Sequence, residues 1–151
     1  MIYIAVIGVI YFAERFIKNY IEKNKTFGEE EKIMKGKITI QKYHNQGAAL
    51  NFMEKKPNLI LGITATFIGI LLVMFGVMLP KRGNILNKLG LSLLLGGALS
   101  NFSDRLIKGY VTDYFSFNQF GRLKKVVFNL ADMFIFLGAI MVTLASFFKK
   151  S

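Results

Sequence analysis

The chain contains three aspartates, Asp104, Asp113 and Asp132, and all lie in its second half. Asp132 falls seven residues after Lys125, inside a run that stays uncharged on its far side as far as Lys149. At helical rise that is roughly 10 Å from the nearest cation along the axis. Holding an ionised carboxylate at the centre of a membrane span costs about 2.5–3.5 kcal/mol, so an acid retained there is a candidate for function. Asn129 and Asp132 are three apart, and Asn101, Asp104 and Arg105 are three and four apart, so each set shares one helical face. A single loop, residues 108–125, joins the two helix ends, so the two polar faces lie on one side of the membrane. Asp113 is in that loop and can fold back to the same place. The expected pocket therefore holds two or three carboxylates, two amides and one guanidinium.

Two carboxylates in such a pocket cannot both ionise cheaply and share a proton. The ionised one can take a proton from water while the protonated one donates to a carbonyl oxygen, which hydrolyses an amide without a metal or a covalent intermediate. The pair titrates as a unit. Two other readings stay open at this point. Asp104 beside Arg105 is as often a structural ion pair, and Asp132 with Arg105 would serve equally as a proton relay in a non-enzymatic, proton-coupled membrane protein.

Composition narrows the chemistry further. The chain has no cysteine and one histidine, His44, which leaves too few soft ligands for a zinc site. His44 itself reads as a solvated loop residue. The net charge of +11 would suggest nucleic acid in a soluble protein. In a membrane protein, flanking cations adhere to anionic lipid headgroups, and no nucleic-acid partner or soluble cofactor is expected.

The elements that must position these residues are four apolar runs, each long enough or nearly so to cross a bilayer core of about 30 Å. They cover about residues 2–18, 59–79, 89–107 and 126–148, within a single integral membrane domain over 1–151. The N-terminal run lacks a basic flank and a small-residue cleavage site, so it reads as a span rather than a signal peptide. In the second run Gly62, Gly69 and Gly76 recur every seven residues, and small residues on one face let another helix approach. The long first loop, 19–56, contains the alternating stretch Ile38 to Tyr43, which predicts a short strand. The Glu29–Glu31 run beside it predicts a solvated loop. Lys and Arg crowd the two larger loops, and a positive-inside count alone places them in the cytoplasm. That rule loses force for a loop as long as 19–56.

The same residues resemble the signature blocks of the signal peptidase II family. Asn45-Gln46-Gly47-Ala48-Ala49 follows the first span. The third span ends in Gly96-Gly97-Ala98-Leu99-Ser100-Asn101-Phe102-Ser103-Asp104-Arg105. Val111-Thr112-Asp113-Tyr114 comes next, and Phe128-Asn129-Leu130-Ala131-Asp132 opens the fourth span. Order and spacing agree across nearly the whole chain. The resemblance implies an all-α membrane fold of four transmembrane helices with a small β-rich extracytoplasmic platform in the first loop. It also implies that Asp113 and Asp132 are a catalytic dyad, and that Asn45, Gly47, Asn101, Arg105 and Asn129 bind substrate or order the dyad, with Asp104 in support.

In the family's terms the 108–125 loop would be a flap, with Tyr114, Phe115, Phe117 and Phe120 over the site. The implied substrate is a prolipoprotein bearing a diacylglyceryl-modified cysteine, cleaved just before that cysteine at the outer leaflet of the bacterial cytoplasmic membrane. Membrane lipids and globomycin-type cyclic peptides are the other implied partners. Two departures stand out. The family usually has Asp-Gln-x-x-Lys near the end of the first span, where this chain reads Glu14-Arg15-Phe16-Ile17-Lys18. Ser100 also stands where glycine is common. These leave room for a diverged paralogue, catalytic or not.

Overall fold

The computed structural model describes residues 1–47, 55–119 and 126–148. Four helices, α1 (Ile2–Asn24), α2 (Pro57–Met78), α3 (Ile85–Lys108) and α4 (Leu130–Phe148), accompany three strands, β1 (Glu31–Ile33), β2 (Ile38–Asn45) and β3 (Val111–Phe117). Of the helices, α2, α3 and α4 are long and apolar enough to cross a membrane. Helix α1 is amphipathic in the opposite sense to a soluble helix. It exposes Ile2, Val9, Phe12, Phe16 and Tyr20 and buries Glu14 and Lys18. The helix continues to Asn24 because those inward charges find partners on other elements.

Helix α3 is the spine, packed against the other three helices. Close approach to α4 depends on glycine. A Cβ on Gly97 would sit 2.5 Å from the Ala131 carbonyl oxygen, and one on Gly138 would sit 2.6 Å from the Gly90 oxygen. Gly96 gives the same closeness to Ile10 of α1. The glycine stripe expected to do this on α2 does not: a Cβ at Gly62, Gly69 or Gly76 would meet nothing within 4 Å among the described residues. The helix–helix contacts of α2 run instead through Ile68, Leu71 and Phe75.

Helix α3 ends at Gly109, whose φ of 81° is a left-handed cap and whose N–H bonds the Arg105 carbonyl. The chain then enters β3, the third strand of an antiparallel sheet ordered β1-β2-β3. The sheet is thus not built from the first loop alone, and the flap expectation fails for this segment. Tyr114 and Phe115 are buried in a cluster with Ile21, flanked by Ile38, Ile40, Phe117 and Phe128. Strand propensity and an available edge on β2 decide this, because β3 gains a full ladder. Phe120, Ala48 and Ala49 lie outside the described residues.

Ile40 pairs with Phe115 but Tyr43 pairs with Asp113, so β2 carries one extra residue between them. This bulge moves Asn45 onto the face of β3 that presents Asp113, because side chains alternate with a period of two. His44 is half-buried in β2 rather than in a solvated loop. Its ring stacks on Tyr110 at 3.7 Å and its Nε2 lies 2.9 Å from Glu22. Glu31 opens β1, and both Glu29 and Glu31 pair with Lys25 on the exposed rim.

Candidate active site

The site forms where the C-terminal halves of α1 and α3, the start of α4 and strand β3 meet. Lys18 is its anchor. The ammonium is 1% exposed and reaches four acceptors: Asp104 at 3.0 Å, Asn101 Oδ1 at 2.8 Å, Ser100 Oγ at 3.2 Å and Glu14 at 3.9 Å. Asp104 is held further by Lys108 at 3.0 Å and by the Thr112 N–H at 3.3 Å. The expected pairing of Asp104 with Arg105 is therefore replaced by one with two lysines. Neighbours in sequence on a helix point about 100° apart, so Arg105 turns elsewhere.

Three amides arrange the other two aspartates. With its Oδ1 fixed by Lys18, Asn101 must present its NH2 to Asp132, and Nδ2 donates to Asp132 Oδ1 at 2.9 Å. Asn129 Nδ2 donates to Asp113 Oδ1 at 2.7 Å, and the Asn129 backbone N–H donates to Asp132 Oδ2 at 3.1 Å. One residue thus bonds both carboxyl groups. Asn45 Nδ2 donates to the remaining oxygen of Asp113 at 2.9 Å. Burial and, after it, the nearby Asp132 charge push the Asp113 carboxyl up to about 7, against the opposing pull of the Asn45 and Asn129 amides.

Arg105 completes the outer side. Its Nη2 donates to the Gly47 carbonyl at 3.0 Å, and its buried Nε has no hydrogen-bond partner. Gly47 N–H is in turn held by Asn45 Oδ1 at 3.0 Å. The guanidinium lines a cavity of about 370 Å³ bounded also by Gln46, Pro57, Asn58, Ile60, Leu61 and Gly109. Among the described residues no three acidic or histidine side chains come together in a group that could hold a metal ion. The arrangement offers two neighbouring carboxyls, one poised to keep its proton near neutral pH, beside a cation with an unused donor.

Over residues 6–148 the sequence matches the family described as Signal peptidase (SPase) II. The chain belongs to the signal peptidase II family. It is an aspartic peptidase of the membrane. The lipoprotein signal peptidase of Lactobacillus johnsonii is 35% identical over 93% of this chain and 88% of its own length. That of Vibrio parahaemolyticus is 35% identical over 94% of this chain and 85% of its own. A bacterial membrane enzyme solved by the in meso method superposes with a TM-score of 0.83 at 25% identity, covering 99% of this chain and 89% of that one. A second such structure gives 0.82 at 27% identity, covering 95% and 90%.

In this signal peptidase II the residues singled out by spacing and charge, Asn101, Asp104, Arg105, Asp113, Asn129 and Asp132, converge on one site with Asn45 and Gly47, which the resemblance alone implied. Three residues named above only as a departing block or a flap aromatic, Glu14, Lys18 and Tyr114, prove to be part of the site's framework. Glu14 is buried and accepts from the Tyr114 hydroxyl at 2.8 Å. The rule that picked out Asp132, a charge inside an apolar span, applies equally to Glu14 and Lys18 and would have found them. The departures also acquire a physical reading. Arg15 is exposed and points away from the site, whereas the Ser100 hydroxyl supplies Lys18 with an additional acceptor.

Proposed function

We propose that this enzyme removes the signal peptide from diacylglyceryl-modified prolipoproteins, cutting just before the lipidated cysteine, with Asp113 and Asp132 as the reacting pair. The observation that supports this most is Asn129 bonded to both carboxyls, which sets the two beside one another. The ionised carboxylate takes a proton from water, and the water oxygen attacks the scissile carbonyl carbon. The protonated partner donates to the carbonyl oxygen. As the tetrahedral intermediate collapses and the C–N bond breaks, the carboxyl that took the water proton gives it to the leaving nitrogen and its partner takes a proton back from a gem-diol hydroxyl, so the pair regains its starting state.

The remaining groups bind. Arg105, through its unused Nε, and the Asn45–Gly47 segment take the substrate backbone, and Asn101 keeps Asp132 oriented. Substrate tethered by its acyl chains moves in the plane of the bilayer, so a site at the outer leaflet of the bacterial cytoplasmic membrane meets it without a search through water. Globomycin-type cyclic peptides fit the same reading as occupants of the dyad.

The test is cleavage of a purified diacylglyceryl-modified prolipoprotein in detergent, comparing wild type with Asp113→Asn and Asp132→Asn. Activity in wild type, lost in both variants and indifferent to chelator, is the expected result. A folded but inert wild type would mark a non-catalytic paralogue. A protein that tolerates Asp113→Asn but needs Asp132 would point to the proton-relay role.

A further inference from the structure

The first turn of α4 opens with backbone N–H groups that have no partner within the helix. At the edge of a hydrocarbon phase such groups are costly when left bare. Here three side chains from three separate segments satisfy them in succession. Leu130 N–H donates to the Tyr114 hydroxyl oxygen at 3.0 Å, Ala131 N–H to Glu14 Oε1 at 3.2 Å, and Asp132 N–H to Asn129 Oδ1 at 2.9 Å. The Tyr114 hydroxyl in turn donates a hydrogen bond to Glu14 Oε2 at 2.8 Å. Asn129 is a local cap of the ordinary kind. Glu14 and Tyr114 are not local: they arrive from α1 and β3, and both are buried, at 1% and 4% exposure.

The chemistry at each atom is specific. Two N–H or O–H donors aim at the two oxygens of Glu14, which a carboxylate accepts together, whereas an amide holding the Ala131 N–H leaves the Tyr114 O–H without its acceptor. The carboxyl group also lies at the positive end of α4. Tyr114 directly follows Asp113, and its hydroxyl holds the residue two places before Asp132. Backbone bonds from Tyr114 and Phe115 to the Phe128 carbonyl, at 2.9 and 3.0 Å, tie the same two segments on the near side.

We infer that Glu14 and Tyr114 form a clamp on the first turn of α4 that sets the position of Asp132 relative to Asp113. Both are positioning residues; neither reaches the substrate. The inference rests on Asp113 and Asp132 being the reacting pair.

Three readouts in detergent test it: kcat and KM for prolipoprotein cleavage, the pH profile of kcat, and amide hydrogen exchange across residues 128–134. Tyr114→Phe removes one oxygen and keeps the ring in its packing, so it stays interpretable if a Glu14 variant fails to fold. Tyr114→Phe and Glu14→Gln should each lower kcat about ten-fold, leave KM within about two-fold, and speed exchange at residues 130–131. The double variant should be no worse than the weaker single, because the two act as one unit. The high-pH limb of the kcat profile should move, since the spacing of the pair sets how it shares its proton.

Faster exchange with kcat intact would make the clamp merely structural and overturn the inference, as would a rise in KM at constant kcat. If the wild type cleaves nothing, the proposed function fails on that ground, while exchange still decides the clamp. Unchanged exchange in Tyr114→Phe would sink the inference whatever the activity; faster exchange at residues 130–131 upholds it only together with the fall in kcat.

Discussion

Helices α2 and α3 invert the pattern familiar from soluble proteins. Between Pro57 and Met78 the chain has no charged side chain, yet only Ile60, Ile68, Leu71 and Phe75 of that helix are buried. Helix α3 contains Asn87, Lys88, Ser92, Ser100, Asn101 and Asp104, all buried, and more than half of its residues are buried with them. In hydrocarbon an apolar helix gains little by hiding, whereas polar side chains must be enclosed where partners await them. Polarity is therefore the burial signal in this molecule. Glycine follows the same division: among the described residues those on α2 meet nothing, while Gly90 and Gly97 on α3 let the α4 backbone come close and Gly96 admits the Ile10 side chain.

The sharpest way to test the enclosed polar end of α3 is through the carboxyls it organises. Asp132→Asn and Asp113→Asn should each reduce prolipoprotein cleavage by about a hundred- to ten-thousand-fold, the range general acid–base groups supply. Near-normal turnover in either variant would break the assignment. Lys18→Met comes next. It removes a cation from a buried cluster and should cost about 3 kcal/mol of stability, measured by thermal unfolding in detergent. It should also lower kcat, because Asn101 is then free to turn its amide away from Asp132.

Glycine substitutions compare the two helices directly. Gly97→Ala places a Cβ against the Ala131 carbonyl and should cost about 1–3 kcal/mol. Gly69→Ala, with open space around it, should stay within about 0.5 kcal/mol. Equal effects in unfolding experiments would show that α2 has a covered face after all. The last comparison is of pH. The Asp113 carboxyl holds its proton up to about 7. Above that the pair becomes doubly ionised and lacks its acid, so kcat should fall about ten-fold per pH unit. The limb belongs to the pair, and a profile flat from pH 6 to about 9 would contradict proton sharing.

Much of this arrangement is legible in the chain itself. The four apolar runs, the alternation at Ile38–Tyr43 and the facing of Asn101 with Asp104 and of Asn129 with Asp132 all depend on local periods of helix and strand. Depth in the membrane is similarly local, since it is counted from the nearest charge. These gave the spans, the carboxylates and the amides by number. The ends of elements were less legible. Helix α3 begins at Ile85, ahead of its apolar run, because Lys88 docks its ammonium on the Lys81 carbonyl. Helix α4 starts only at Leu130, because Asn129 caps it and Phe128 bonds across to Phe115.

What the sequence determined by itself, then, is which residues are polar at membrane depth and which helical face each occupies. Tertiary structure decided whom they meet. Asp104 lies beside Arg105 in sequence but pairs with Lys18, and Glu14 completes a helix that begins more than a hundred residues later. A one-residue bulge in β2 selects the face on which Asn45 reaches Asp113, and Gly97 sets how near α4 can come. Hydrogen bonds are short-ranged and directional, so their partners depend on packing distances between elements, which no local period encodes.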